Sequence, residues 1–522
     1  MIRLVLAIAL CGKTTGVYAQ KSGGVLRRAA IENPPSASIH EELQAATVIP
    51  FAPVFNNLVV FDPSKNMSRS ETIVPDLAAS WAWSADHKTL TFKLRRGVKW
   101  HDGKPFTSAD VKCTWDAVTE KRDAGWRKSP RKPWYVNLQE ITVEGEDQVS
   151  FHLTQPQPSF LSYLSGGFSP VYPCHVDGRQ MRQLPIGTGP FMAKSFEQGK
   201  MIRLVRNPSY FKTGRPYLDG IDMPIISSTG TRNLAFIAGE TDMYNPSATL
   251  LAEVKAKVPG ATCQVGMSGG YTQLLINPAV PPFGDVRIRK AMALTLDRSA
   301  IVKTKGAGLD RIGGELLPPP LGAWGLSEAE LASMPGFGPN IEKSREEARK
   351  LMREAGYGPD KPLTIVLSSR DIPSYRDTAV MLLDQLSKIY VKGEMKVVDT
   401  ALWSNLLAKR GYAVAVRSRG PAIDDPDVAF YESYACNART NYSGYCDKEV
   451  EAMIDKQSAM IDLAARKRLV ADIDRKLQME AVRPTITFNA LPYCWRPYVK
   501  GYVPSMNNQY SHLRMEDVWL DK

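Results

Sequence analysis

The pentapeptide Gly266-Met267-Ser268-Gly269-Gly270 has the G-x-S-x-G spacing that lifts a nucleophilic serine out of a hydrolase sheet. That chemistry needs a strand before the serine and a helix after it, so that the hydroxyl sits on a sharp turn at a helix N-terminus. Residues 271–277 and then Pro278 read instead as a strand and a loop. A glycine-rich turn is therefore the leading reading, and a secreted serine hydrolase using Ser268 is the alternative. Gly187-Thr188-Gly189 begins like a dinucleotide loop, but Met192 stands where a small residue belongs and Pro190 interrupts the helix start. The six histidines (His40, His87, His101, His152, His175 and His512) never fall one helical turn apart, and H-E-x-x-H is absent. A protein-built catalytic zinc site is not expected from that pattern, and no cofactor is implied.

The elements that would position a binding site differ along the chain. Residues 89–95 alternate apolar and polar, as a half-buried strand does. Residues 141–143 and 149–153 alternate around Gly145-Glu146-Asp147 and predict a hairpin. Residues 108–119 look helical, with Ser108 placed to cap the start. From about 340 to 420 the pattern changes. Ser344-Arg345-Glu346-Glu347 has capping-box spacing, and the helix it opens stops at Gly356. Strands over 363–367, 396–398 and 412–416 then alternate with helices over 376–389 and 402–409, which predicts a parallel sheet covered by helices. Helices over 447–459 and 463–482 follow, and 485–488 returns as a strand. Two α/β bodies joined by more than one crossing is the simplest architecture, with ligand in the crevice between them.

Composition agrees with a globular chain of two to four domains: 522 residues, 43% hydrophobic and 23% charged. The net charge is 66 − 54 = +12. Acidic residues are interspersed and no Lys/Arg run reaches five, so nucleic acid is not expected as a partner. The only sustained apolar run, residues 4–10 behind Arg3, precedes Val17-Tyr18-Ala19, a small-x-Ala cleavage site before Gln20. Residues 1–19 resemble a secretory signal. Cys11 follows Leu10 rather than a small residue, so a cleaved signal is preferred to a lipid anchor, and the mature chain is expected to be periplasmic. In that oxidising compartment the ten-residue spacing of Cys436 and Cys446 suits a loop-closing disulfide, with two unrelated buried thiols as the alternative. Cys113, Cys174, Cys263 and Cys494 are too scattered to pair from sequence.

A family becomes recognisable at Pro75-Asp76-Leu77-Ala78-Ala79-Ser80-Trp81 followed by the stretch from Thr89 through Arg95-Arg96-Gly97-Val98-Lys99-Trp100-His101-Asp102-Gly103-Lys104-Pro105-Phe106-Thr107-Ser108-Ala109-Asp110-Val111. Further blocks keep the same order: Gly187-Thr188-Gly189-Pro190-Phe191, Asn207-Pro208-Ser209-Tyr210-Phe211, Pro216-Tyr217-Leu218-Asp219-Gly220-Ile221, Ala238-Gly239-Glu240-Thr241-Asp242, Asp285-Val286-Arg287-Ile288-Arg289-Lys290-Ala291 and Glu347-Ala348-Arg349-Lys350-Leu351. Together they resemble the family 5 extracellular solute-binding proteins, the peptide/nickel-type receptors of ABC importers, over nearly the whole mature chain. The resemblance implies an α/β, two-lobe periplasmic binding protein (type II, cluster C-like) with an extra inserted subdomain. The large lobe would combine residues 20–60, 181–270 and 494–522, with the insertion at 61–180 and the second lobe at 271–493. It further implies a non-enzymatic monomer that carries a small-molecule or peptide-like solute to an inner-membrane ABC permease. Metal-complex or chaperone-like binding, known in relatives, stays open.

The same resemblance frames the ligand. Peptide-binding members carry an aspartate four positions before the proline of a late Asp-Pro motif, where it pairs with the peptide amine. Here the motif is Asp425-Pro426 and that position is Ala422, with Asp424 able to substitute if the loop shifts. Arg370, just beyond the 363–367 strand, stands where peptide binders can hold a ligand carboxylate, and a guanidinium fork suits carboxylate or phosphate. Arg376 is expected to face solvent. Arg417 and Arg419 follow the 412–416 strand, and one of them is expected to reach the crevice. Trp403 and Tyr271 are candidate stacking platforms or core residues. Together these residues suggest an anionic or amphoteric small solute.

Overall fold

The alternation over Thr89–Leu94 buries Leu90, Phe92 and Leu94 on one side of a strand. That strand lies in a four-stranded antiparallel sheet in the order Ala78–Trp83, Thr89–Leu94, Gln148–Leu153, Leu138–Glu144. The helix Ser108–Val118 buries Val111, Trp115 and Val118 against it. Its cap is Thr107, which forms a reciprocal capping box with Asp110, whereas Ser108 is already helical and donates its hydroxyl to the Gly145 carbonyl at 2.7 Å. The computed structural model describes residues 20–122 and 125–522; the stretch 1–19, expected to be a secretory signal, lies outside the described residues.

A second four-stranded sheet runs in the order Val25–Arg27, Gly220–Pro224, Met201–Arg206, Phe191–Glu197. The 61–180 segment has a sheet of its own, yet one continuous hydrophobic core runs from Leu26 through Phe92, Trp115 and Phe151 to Leu520. Gly187 and Gly189 serve that core by close backbone packing. A Cβ on Gly187 would stand 1.9 Å from the Val54 carbonyl oxygen, and one on Gly189 would stand 2.4 Å from the Val54 carbonyl carbon.

The other lobe is built on a six-stranded mixed sheet in the order Met243–Tyr244, Thr485–Trp495, Thr262–Ile276, Val414–Arg419, Leu363–Arg370, Val391–Val398. Its last three strands are parallel, as the βαβα pattern requires, with the helices Pro373–Ser387 and Thr400–Ala408 between them. The helix before them, Ile341–Glu354, starts earlier than its capping-box pattern suggests. Asn340 caps it by accepting from the Lys343 amide at 3.0 Å, which leaves Ser344 inside the helix. Two of the strands run three residues further than their apolar cores. Arg370, Arg417 and Arg419 are therefore strand residues and not loop residues beyond strand ends.

Two strands cross between the lobes. The near half of Thr262–Ile276 pairs with Leu491–Trp495 beside Phe236, Tyr244 and Val254. Its far half pairs with Val414–Arg419 and with Thr485–Phe488. The register shifts between Met267 and Tyr271, where Gly269 has φ +74°. The Cys263–Cys494 disulfide joins the two strands at their near end, Cys113–Cys174 ties a helix to a loop of the inserted segment, and Cys436–Cys446 closes the loop after the helix Pro426–Tyr434.

A buried ion network fixes the C-terminal segment. The inaccessible Asp76 carboxylate lies 2.6 Å from Arg514 and 3.0 Å from Lys212, and Lys212 lies 2.8 Å from Glu516. Burial alone would raise the Asp76 carboxyl, but Arg514 and Lys212 outweigh it and hold it below its ordinary value. Because the folded-state value is depressed, its contribution is fully present above the unfolded value near 4 and is lost as the pH falls further. Asp76→Asn is therefore expected to cost about 3–5 kcal/mol in urea unfolding at pH 7, with the deficit shrinking below about pH 4. Replacing both Cys436 and Cys446 by serine is expected to cost about 2–3 kcal/mol in the same assay, the chain-entropy value for so short a loop.

Candidate functional site

The register of the crossing strand assembles the site. Tyr271 lies opposite Arg419, and Gln273 opposite Arg417. Side chains alternate along a strand, so these four share one face, which Leu275 and Ala415 continue. Arg483, two residues before Thr485, donates to the Gln273 side-chain oxygen at 3.1 Å and to the Ser433 carbonyl at 2.7 Å. Arg419 donates to the hydroxyl of the same Ser433 at 2.6 Å. Three guanidiniums thus converge across Gln273 and Ser433.

Their counter-charges are unequal. Arg419 is paired with Glu432, which also accepts from the Trp134 indole of the large lobe at 2.6 Å. Among the described residues, no carboxylate lies within ion-pair distance of Arg417 or Arg483. Arg417, 7% exposed, rests on the Tyr442 ring at 4.6 Å, and its Nη1 has no hydrogen-bond partner. Burial, with repulsion from Arg483 and Arg419, lowers its pKa to about 9. Other buried arginines without a carboxylate still find oxygens: Arg298 reaches the Thr485 and Gly336 carbonyls at 2.8 and 2.9 Å, and Arg131 the Glu42 carbonyl at 2.9 Å. Arg417 finds none.

The remaining candidates fall into different settings. Tyr271 is 1% exposed, packs its ring on Phe488 at 5.3 Å, and leaves its hydroxyl unpartnered. It lines an interlobe cavity with Glu315, Phe488, Asn507 and Asp424. Asp424, expected to need a shifted loop, lines that cavity as the loop stands. One of its oxygens accepts from the Ala323 amide at 2.9 Å, and burial raises its carboxyl to about 7. Arg370 ends the neighbouring strand on the same face as Ala415 and Arg417, half-buried, with Nε 3.3 Å from the Thr400 hydroxyl. Arg376 is engaged by Asp371 at 3.1 Å. Trp403 is no open platform. It is 4% exposed within a cluster of Leu275, Leu407 and Tyr412, edge-on to Tyr375.

Asp425 and Asp427 are committed to the fold: both contact the buried Arg466, at 2.9 and 3.2 Å, and Asp427 accepts from Ser159 of the large lobe at 2.5 Å. Ser268 lies in mid-strand, where its Oγ accepts from the Gly270 amide at 2.9 Å and donates to the Asn489 carbonyl at 3.3 Å. No helix follows it, which removes the nucleophile elbow. Sequence reasoning missed Arg483, Glu432 and Trp134. The one available signal was a charged residue, Arg483, between the apolar Val482 and the strand that begins after Pro484.

Two α/β lobes on paired crossing strands, with a buried cation beside the seam, are the architecture of a two-lobe solute receptor. Residues 72–441 match the model of the bacterial extracellular solute-binding proteins, family 5 (middle region), and the chain belongs to that family. It is a non-enzymatic receptor of the ABC-importer type. The dipeptide-binding protein of Escherichia coli K12 is 26% identical over 485 residues, covering 86% of each chain. The periplasmic binding protein DppA of Helicobacter pylori, solved with the peptide STSA, superposes with a TM-score of 0.83 at 20% identity, covering 96% of this chain and 99% of that one. The binding protein AgaA of Agrobacterium tumefaciens R10, solved with agropinic acid, gives 0.81 at 23% identity over 96% and 99%. Among the described residues, no helix is long and apolar enough to cross a membrane.

A buried cation without a partner destabilises the solute-free fold. Arg417→Met, which keeps the length and removes the charge, is expected to raise the thermal midpoint of the solute-free protein. A lower midpoint, followed by circular dichroism, would show that Arg417 is structurally compensated.

Proposed function

We propose that this receptor binds a small anionic or amphoteric solute between its lobes in the periplasm, as a monomer released from its signal at Ala19-Gln20, and hands it to an inner-membrane ABC permease. The observation that carries the reading is Arg417, a buried guanidinium with neither carboxylate nor oxygen partner among the described residues. A ligand carboxylate supplies what the chain withholds, and the bidentate fork gives it direction. Arg370, half-exposed on the same face, serves as an outer cation that draws the solute in. Asp424 offers a carboxyl in the adjoining cavity for an amphoteric ligand, in place of the acid absent at Ala422. Peptide-binding relatives and a relative holding agropinic acid both support an acid-bearing solute.

Mass spectrometry of the small molecule released from natively purified protein tests the class: it is expected to carry an acid group. Arg417→Ala is expected to weaken calorimetric affinity for that molecule by about 2–5 kcal/mol, and Arg417→Lys to restore little of it. Wild-type affinity in Arg417→Ala would remove Arg417 from the site.

A further inference from the structure

One carboxylate at the seam serves both lobes. Glu432 lies in the helix Pro426–Tyr434 of the second lobe, and its side chain is 17% exposed. Its Oε1 accepts from the Trp134 indole of the inserted segment at 2.6 Å. Its Oε2 faces Arg419 Nη2, on the strand that also carries Arg417. Arg419 lies opposite Tyr271 in the ladder and donates to Ser433, the helix residue next to Glu432. A single acid thus joins the inserted segment to the strand of the candidate site residues.

The surroundings of Trp134 hold its ring in place. It is 4% exposed in a short 3₁₀ turn, Lys132–Tyr135. The ring packs on Tyr163 at 5.4 Å and edge-on to Phe168 at 6.2 Å, and Arg131 lies over it at 5.3 Å. An N–H donated to a carboxylate makes a charge-assisted bond, roughly twice as strong as a neutral pair. Other polar contacts across the seam end differently. Arg69 and Asn508 reach the backbone carbonyls of Pro320 and Ala422 at 2.5 and 2.9 Å. Ser159 reaches Asp427, whose carboxylate is already held by Arg466 of its own lobe. Of these contacts, only the Trp134 bond ends on the counter-charge of an arginine of the site strand.

We propose that Trp134 is a positioning residue: acting through Glu432, it latches the inserted segment to the arginine strand and slows reopening of the lobes. Opening withdraws the indole, so the closed form alone has this bond. Closing restores the donor and fixes the carboxylate that neutralises Arg419. Retention of solute then depends on a residue of the inserted segment that need not touch it. The inference rests on the lobes closing over a solute and is independent of the solute's charge.

The test follows the Trp134 indole proton by nuclear magnetic resonance in the full mature chain carrying isotope-labelled tryptophan, its peak assigned by its loss in Trp134→Phe. Slow solvent exchange is expected in the wild type, and exchange about tenfold faster in Glu432→Gln, which removes the acceptor's charge. Trp115, buried in the core of the inserted segment, is expected to keep its wild-type rate, because its exchange reports unfolding of that core and not opening of the seam. Trp134→Phe is expected to enlarge the radius of gyration in small-angle scattering, and it decides alone should Glu432→Gln fail to fold. A wild-type rate at Trp134 in Glu432→Gln, an equal acceleration at Trp115, or an unchanged radius in Trp134→Phe would each overturn the latch. None of these readouts involves an acid group on the solute, so each outcome leaves the anion reading to its own test.

Discussion

Both lobes hang on one backbone ladder, the antiparallel pairing of Thr262–Ile276 with Thr485–Trp495. Its near half is clamped by the Cys263–Cys494 disulfide and the Phe236 cluster, while its far half is the middle of the sheet that carries the arginines. Between them lies the only registry shift that spans several residues, from Met267 to Tyr271. The first paired residue beyond it is Tyr271, a candidate site residue. The glycines of this passage are set by packing: a Cβ on Gly266 would lie 2.8 Å from Met506 Cα, and one on Gly270 would lie 3.1 Å from the Arg419 carbonyl. The G-x-S-x-G spacing is thus the imprint of a C-terminal segment laid across a strand.

Charge is handled differently away from the site and within it. Asp76 is surrounded by two cations and two asparagine groups, and Arg466 by two aspartates. Each such cluster sets opposite charges in contact, as buried ions require. Among the described residues Arg417 departs from that rule: neither a carboxylate nor an oxygen reaches it, a few residues from the interlobe contact of Trp134 with Glu432.

The sequence read the parallel units of the second lobe well, because apolar runs and helix periodicity are local. Caps were misplaced by one residue at Thr107 and by four at Asn340, since Ser and Glu patterns recur inside helices and backbone geometry decides which is used. The site was half legible. Apolar patterning ended the 412–416 strand at the first charge, although a central strand flanked on both sides by partners continues through Arg417 and Arg419. That extension puts the arginines on the face of Tyr271 and Gln273. Arg483 lies 66 residues further along the chain from Arg417, and nothing local joins them. Of the cysteines, only the ten-residue pair had a spacing that spoke for itself; the other two pairs span 61 and 231 residues.

The seam also fixes which end of a ligand matters most. Ala422 is buried in the large-lobe core cluster, and its carbonyl accepts from Asn508 at 2.9 Å, so position 422 lies where the lobes close. An aspartate at that position would be stripped of water on closure and would need a cation to remain charged. This chain has no such demand. Its nearby acid, Asp424, has a carboxyl raised to about 7, so it exists partly as the neutral acid at physiological pH. A neutral carboxyl can accept or donate a hydrogen bond without compelling an amine. Arg417, lowered to about 9 by burial, stays charged under the same conditions. In the proposed reading, recognition turns on the acidic end of the solute, with an amine tolerated and not required, the reverse of a site that anchors a peptide by its amino terminus.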